Sequence, residues 1–332
     1  MRKRNKQDLL ILFFKSVLMG TANKLPGISG GLVALITGFY HEMVITFKSL
    51  NIKTIKALFR GNFKKIEKEY NGLFLVIVLL GIIVSYFTTS KILDFFFKIS
   101  ELNVWSFFFG MIIASLFILI NQNKVNNKKD IIYLCIGFSI GFILSISDPI
   151  SENQNLLFVF FCGMISICGM IIPGISGSFL LILLGNYKLL LVDSVDALIE
   201  SVWIITNMDN FNDIDFNLIR ILIVFSLGSV FGLILLSNIL SWLINNYENT
   251  VNQLIIGFVS GSLLMIWPWK KSYIEEFNNL EISNNYLRYL PDLSQTKDII
   301  ALACVISGLV IILYVEKYVS RKKNIWTYRE KN

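Results

Sequence analysis

The chain has 332 residues, of which 55% are hydrophobic and only 16% charged. A soluble domain carries about 25% charge, so an ordinary soluble fold is excluded. The net charge of +7 does not point to nucleic acid, because the Lys and Arg residues sit in short tracts beside apolar segments, as in the cytoplasmic loops of a membrane protein.

The N-terminus opens with Arg2, Lys3, Arg4 and Lys6 and runs into the apolar stretch Leu9–Tyr40. No small-residue cleavage site follows, so this is read as a retained segment rather than a signal peptide. It is interrupted by Pro26-Gly27-Ile28-Ser29-Gly30. His41–Asn71 follows, and its part Lys48–Tyr70 is read as a basic amphipathic helix on an anionic membrane surface. Three plain apolar spans come next, Gly72–Ser90, Val104–Ile120 and Ile131–Ser147. Leu156–Tyr187 is again interrupted, by Pro173-Gly174-Ile175-Ser176-Gly177. After an acidic loop, Lys188–Leu218, come the spans Ile219–Leu243, Val251–Trp267 and Ile299–Val319, with a loop of mixed charge, Lys270–Lys297, before the last. Each run is long enough to cross a bilayer, which takes roughly 17–25 residues. The expected fold is an all-α, polytopic integral membrane protein.

The two Pro-Gly-Ile-Ser-Gly strings are 147 positions apart, and the same spacing aligns further residues without a gap. Leu9, Phe13, Gly38, Tyr40, Gly81, Gly110 and Ser115 meet Leu156, Phe160, Gly185, Tyr187, Gly228, Gly257 and Ser262. Shared Gly, Pro and Ser over such a length indicate an internal repeat. Within one transmembrane domain, 1–330, the division is repeat 1 over 9–121, a connecting helix and loop over 122–155, and repeat 2 over 156–268. An extracytoplasmic loop, 269–298, and a last transmembrane helix, 299–319, complete it. Three plain crossings separate equivalent points, so the second repeat is inverted. Charge agrees: the loop after repeat 1's interrupted helix is basic, whereas its counterpart carries Asp193, Asp196, Glu200, Asp209, Asp213 and Asp215. Both termini are expected inside the cell.

Inverted repeats around interrupted helices mark secondary transporters, which bind substrate near the midplane. Proline ends each first arm, glycine permits the turn, and the second arm presents free N–H groups to the protein interior. Ser29 and Ser176 add hydroxyls. Such an interrupted hairpin, re-entrant or broken, offers an anion site of the kind that holds phosphate. Lys24 lies between apolar arms, where a charge is costly, and its counterpart Ile171 is apolar, so one repeat alone supplies a cation. The candidate substrate-binding residues are Asn23, Lys24, Pro26, Gly27, Ser29, Gly30, Gly31, Pro173, Gly174, Ser176, Gly177 and Ser178. His41 and Glu42 are candidates for proton or sodium coupling, although an interfacial position explains them equally well. Arg220 is a candidate for headgroup attraction or a helix-end anchor. Cys135, Cys162, Cys168 and Cys304 match no metal spacing, and His41 is the one histidine, so no metal or other cofactor is expected.

Gly20-Thr-Ala-Asn-Lys-Leu-Pro-Gly-Ile-Ser-Gly-Gly31 with Gly38-Phe-Tyr40, and Met170-Ile-Ile-Pro-Gly-Ile-Ser-Gly-Ser178 with Gly185-Asn-Tyr187, resemble the two signatures of the PopT-type polyprenyl-phosphate transporters. The stretch Gly257…Ser262 to Trp267-Pro268 is similar as well, so the resemblance spans nearly the whole chain. This sequence departs from the family at Asn23, often acidic there, and at Leu32, often Thr. The resemblance implies a flippase that returns undecaprenyl phosphate, a lipid carrier of cell-wall biogenesis, to the cytoplasmic leaflet of the bacterial plasma membrane. A small inorganic anion transporter or channel would use the same helix ends. A lipid-phosphate enzyme fits less well, because a single histidine and no carboxylate-rich motif leave little to activate a nucleophile.

Overall fold

The computed structural model describes residues 5–28, 30–40, 42–43, 46, 71–125, 127–146, 152–171, 176–207, 211–277 and 280–330. Ser29, His41, Pro173, Gly174 and the basic segment Lys48–Tyr70 lie outside the described residues.

The protein is mostly helical, as expected. Helix α1, Lys6–Lys24, begins in a capping box in which Asn5 Oδ1 accepts from the Asp8 N–H at 2.8 Å and Asp8 returns the bond at 3.1 Å. It ends at Leu25, which is extended because Pro26 follows. Helix α2, Gly30–Thr37, runs back along α1, for Lys15 Nζ donates to the Thr37 carbonyl at 2.6 Å. Next come α3, Gly72–Ile99, α4, Glu101–Gln122, and α5, Lys128–Ile146. The second interrupted segment gives α6, Leu156–Ile171, and α7, Gly177–Leu183. Here too the chain returns: Asn186 accepts from the Asn153 N–H at 2.9 Å and donates to its carbonyl at 2.8 Å.

Two stretches read as loops have structure of their own. Lys188–Leu218 holds a π-helical turn, Leu189–Asp193, whose Leu189, Leu190, Leu191 and Val192 are buried, and helix α8, Ser194–Asn207. Among the described residues the loop over 269–298 holds an antiparallel hairpin, β1 Lys270–Phe277 and β2 Leu280–Arg288, beside the mostly helical fold. Between them runs α9, Phe216–Ser262, and after the hairpin α10, Thr296–Glu330. Helix α9 has 47 residues. That is about 70 Å of helix, more than twice a bilayer core of about 30 Å. It is broken at Tyr247 (φ −136°, ψ 34°), between the two spans read there from the sequence.

Several local structures recur at a spacing of 147. Gly38 and Gly185 have φ of 81° and 73°, and the residue after each donates to a carbonyl five back, Phe39 to Ala34 (3.1 Å) and Asn186 to Leu181 (3.0 Å). Both are left-handed glycine caps. Extended Ser100, between α3 and α4, stands 147 before the Tyr247 break. A Cβ on Gly81 would press on the Phe13 carbonyl, and one on Gly228 on the Phe160 carbonyl. Glycine allows α3 onto α1, and α9 onto α6, at backbone distance.

Among the described residues three helices are long and apolar enough to cross a membrane, Gly72–Ile99, Glu101–Gln122 and Thr296–Tyr318, and Leu156–Ile167 and Phe216–Gly232 are shorter apolar helices. Their outer faces carry exposed Phe95, Phe117, Leu227 and Ile306. The protein is a membrane protein. Besides the contacts inside the bundle, polar side chains join the elements at two ends. One end joins Gln122 to Glu316, Asn249 to Asp130, and Asn71 to Glu42. The other joins Lys188 to Glu101, Lys91 to Asp196, Asn217 to Gln154, and Arg288 to the Ser145 carbonyl.

Candidate functional site

The tips of the two interrupted segments meet inside the bundle. At the first tip Pro26 and Gly27 interrupt the helical backbone, and Ser176 of the second segment and Ser115 of α4 pair with it. The Gly27 N–H donates to Ser176 Oγ at 3.1 Å, and Ser115 Oγ donates to the Gly27 carbonyl at 2.6 Å. Gly27 has φ 88°, a conformation open to glycine. Ser176 also caps α7, accepting from the Phe179 N–H at 3.3 Å, and shares a hydrogen bond with Ser178 Oγ at 3.1 Å. On the first tip, the Gly30 N–H donates to Asn23 Oδ1 at 3.1 Å. Asn23 Nδ2 is buried without a hydrogen-bond partner.

Lys24 is fully buried beside the tips. Its Nζ donates to the carbonyls of Tyr86 (2.7 Å) and Leu191 (2.6 Å) and lies 4.7 Å from the centre of the Tyr86 ring. Ser90 Oγ donates to the same Leu191 carbonyl at 3.1 Å. Tyr187 Oη donates to the Lys24 carbonyl at 2.9 Å, which ties the residues just before the π-helical turn to the end of α1. Removing that hydroxyl leaves a buried carbonyl one bond short. Tyr187→Phe is therefore expected to cost about 1 kcal/mol and to lower the unfolding temperature in detergent.

Two cavities flank the contact between the tips. One, of about 270 Å³, is lined by Asn23, Tyr86, Ser166, Ile167, Gly177, Ser178, Leu181, Leu191, Phe225, Ser226 and Ser229. The other, on the side of Ile112, Ser115 and Val259, is nearly filled at about 10 Å³. The large cavity is lined by four serine hydroxyls, the Asn23 amide and apolar side chains. Lys24 stands behind its wall, on the carbonyls of two lining residues.

Of the residues expected at the site, Asn23, Lys24, Pro26, Gly27, Gly30, Gly31, Ser176, Gly177 and Ser178 belong to or adjoin the two tips. Glu42 accepts from Asn71 Nδ2 at 2.8 Å, at one end of the bundle. Arg220 is exposed and donates to Asn217 Oδ1 at 3.0 Å, near the start of α9 at the other. The sequence reading missed Ser166, Ser226, Ser229, Tyr86 and Leu191. A signal was present for two of them, since Ser226 and Ser229 are three apart in an apolar helix and so share a face.

The chain matches the family described as undecaprenyl phosphate translocase-like over residues 19–282. It is 28% identical over 322 residues to the polyprenyl-phosphate transporter of Vibrio cholerae, covering 95% of this chain and 98% of the relative. It is 25% identical over 270 residues to the polyprenyl-phosphate transporter of Staphylococcus aureus, covering 78% and 86% respectively. No solved structure matches.

Proposed function

Because the chain belongs to the undecaprenyl phosphate translocase-like family, we propose that it moves undecaprenyl phosphate or a related polyprenyl phosphate from the outer to the cytoplasmic leaflet of a bacterial plasma membrane. It is a transporter and not an enzyme, in keeping with the names of its family and relatives. The phosphate headgroup binds where the two Pro-Gly-Ile-Ser-Gly tips meet, and the observation that carries this reading is the Gly27–Ser176 contact at the tips. Buried polar atoms at membrane depth are tolerated where they line a site. The unequal cavities on either side of the contact suit alternating access, with one side open and the other closed.

The two halves act as inverted repeats, each with a re-entrant hairpin. Helix pairing supports this. A Cβ on Gly308 of α10 would meet Phe107 and Met111 of α4, and one on Gly137 of α5 would meet Leu254 and Phe258 of α9. Those partners are 147 apart. The glycines are 171 apart, because the β-hairpin precedes α10. On this reading α5, expected as a connecting helix, has the place in the first unit that α10 has in the second. Both termini, the basic segment and the Glu42–Asn71 end face the cytoplasm, where the segment rests on anionic lipid. His41 and Glu42 are the candidates for coupling to a proton or sodium gradient.

The test is transbilayer movement of undecaprenyl phosphate in proteoliposomes, with and without an ion gradient. Wild type is expected to move the lipid, and Ser29→Ala/Ser176→Ala to move it about tenfold more slowly, since a hydrogen bond to a charged group is worth roughly 1.5–3 kcal/mol. Normal movement by Ser29→Ala, Ser176→Ala and Lys24→Ala would remove the headgroup from the tips. Movement of inorganic phosphate in place of the lipid would make the protein a small-anion transporter.

A further inference from the structure

Among the described residues that line the large cavity, Ser226 is the exposed one, and its position points to what enters. Ser226, a lining residue on α9, is exposed, whereas its neighbours Phe225 and Ser229 are buried and half-buried. Around Ser226 the same helix exposes Ile223, Leu227 and Val230, and across the gap α3 exposes Ile83 and Val84. Helices α3 and α9 both line the cavity yet do not form a packed pair, and α8 packs on both of them. An exposed serine in an apolar surface therefore stands at the edge of a cavity lined by further hydroxyls.

The hydroxyls lead inward from there. Ser226 and Ser229 share a face of α9, Ser166 and Ser178 lie on the facing helices α6 and α7, and the buried, unpartnered Asn23 Nδ2 lies at the inner wall. At rest each serine on a helix returns its proton to a carbonyl of its own helix, Ser226 to Leu222 (2.8 Å), Ser229 to Phe225 (2.9 Å) and Ser166 to Gly163 (2.9 Å). A hydroxyl rotates freely enough to leave such a bond for a better acceptor. These serines are not a requirement of the repeated architecture. The residues 147 earlier than Ser166, Ser178, Ser226 and Ser229 are Met19, Gly31, Leu79 and Ile82.

We propose that the opening between α3 and α9 is a lateral portal for a prenyl monophosphate: the headgroup passes from Ser226 and Ser229 to Ser166, Ser178 and Asn23, while the isoprenoid chain stays outside against Ile223, Leu227 and Val230. Among the described residues no charged side chain lines the cavity, so the phosphate is held by neutral donors, with the Lys24 ammonium behind the wall. This rests on the transport reading above and adds the route and the residues that open it.

The experiment photo-crosslinks wild-type protein in vesicles to a polyprenyl phosphate carrying a diazirine on its first isoprene unit, and maps the adducts by mass spectrometry. Adducts are expected within 223–231 of α9 and 83–87 of α3, displaced by unlabelled polyprenyl phosphate and not by inorganic phosphate. In parallel, Ser226→Trp is expected to slow lipid movement at least about tenfold, the loss of a charged-group hydrogen bond plus a blocked mouth. The membrane-facing control Ile140→Trp is expected to move lipid as wild type does. Wild type that moves lipid but carries its adducts only on other helix faces, such as α5 or α10, would overturn the portal and leave the transport reading intact. Equal displacement by inorganic phosphate would make the cavity a free-anion site. A folded wild type that moves no lipid would overturn both.

Discussion

Lys24→Met is expected to slow lipid movement by about 100-fold while leaving the folded protein nearly as stable as wild type. Two opposing terms set the stability. An ammonium at apolar depth costs about 2.5–3.5 kcal/mol on membrane-insertion scales, and methionine returns that cost. Against it stands the loss of two charge-assisted hydrogen bonds, to the carbonyls of Tyr86 and Leu191, at roughly 1.5–3 kcal/mol each. The Leu191 carbonyl keeps the Ser90 hydroxyl, so it is not stranded. The net loss is about 0–3 kcal/mol. Transport has no such offset. A phosphate in the cavity would lose the cation behind its wall, and removing one partner of a buried charge pair costs about 2–5 kcal/mol, or roughly 30- to 4,000-fold. Thermal unfolding in detergent, read beside transbilayer movement, separates the two. A variant that transports in proportion to the folded protein recovered would make Lys24 a structural residue.

The second large effect falls on folding. Gly257→Leu is expected to abolish monodisperse, folded protein, and Gly110→Leu to do the same. A Cβ at Gly257 would land on the Leu134 carbonyl of α5, and one at Gly110 on the Val305 carbonyl of α10. Neither obstacle is a flexible side chain, so each helix pair must separate along its length. Overpacking that side chains absorb costs about 1–3 kcal/mol. Overlap with backbone exceeds that and belongs with the exceptional losses of about 4–5 kcal/mol or more. Gly38→Ala is the contrast. Nothing lies within 4 Å of a Cβ there, and the φ of 81° is the only penalty. That variant is expected to lose about 1–2 kcal/mol and remain folded. Size-exclusion profiles of the three variants check the ordering. A monodisperse Gly257→Leu would mean that the helices are not packed at backbone distance.

Much of the site was legible because its signals are local. Proline and glycine inside an apolar run force a break wherever they occur, and Pro26 and Gly27 did so without reference to any partner. The spacing of 147 was legible for the same reason. Lys24 stood out as a charge among apolar residues, but its partners did not, because main-chain carbonyls leave no trace in a sequence. Leu189–Val192 was read as the start of a loop on account of the acidic residues that follow. It is buried, because the turn closes over Lys24 and Tyr187.

The sequence by itself determined the membrane class, the helical spans, the two broken helices and the family resemblance. The first three follow from composition or from the torsional habits of proline and glycine, and the resemblance rests on the two signatures around Pro26 and Pro173. Only the tertiary structure decided which faces turn inward, that the Gly27 and Ser176 tips bond to each other, and that Ser166, Ser226 and Ser229 line the cavity beside them. In water, hydrophobic periodicity tells the buried face of a helix from the exposed one. In a bilayer, lipid and protein interior are about equally apolar, so pattern cannot tell the two faces apart, and packing at small residues chooses between them.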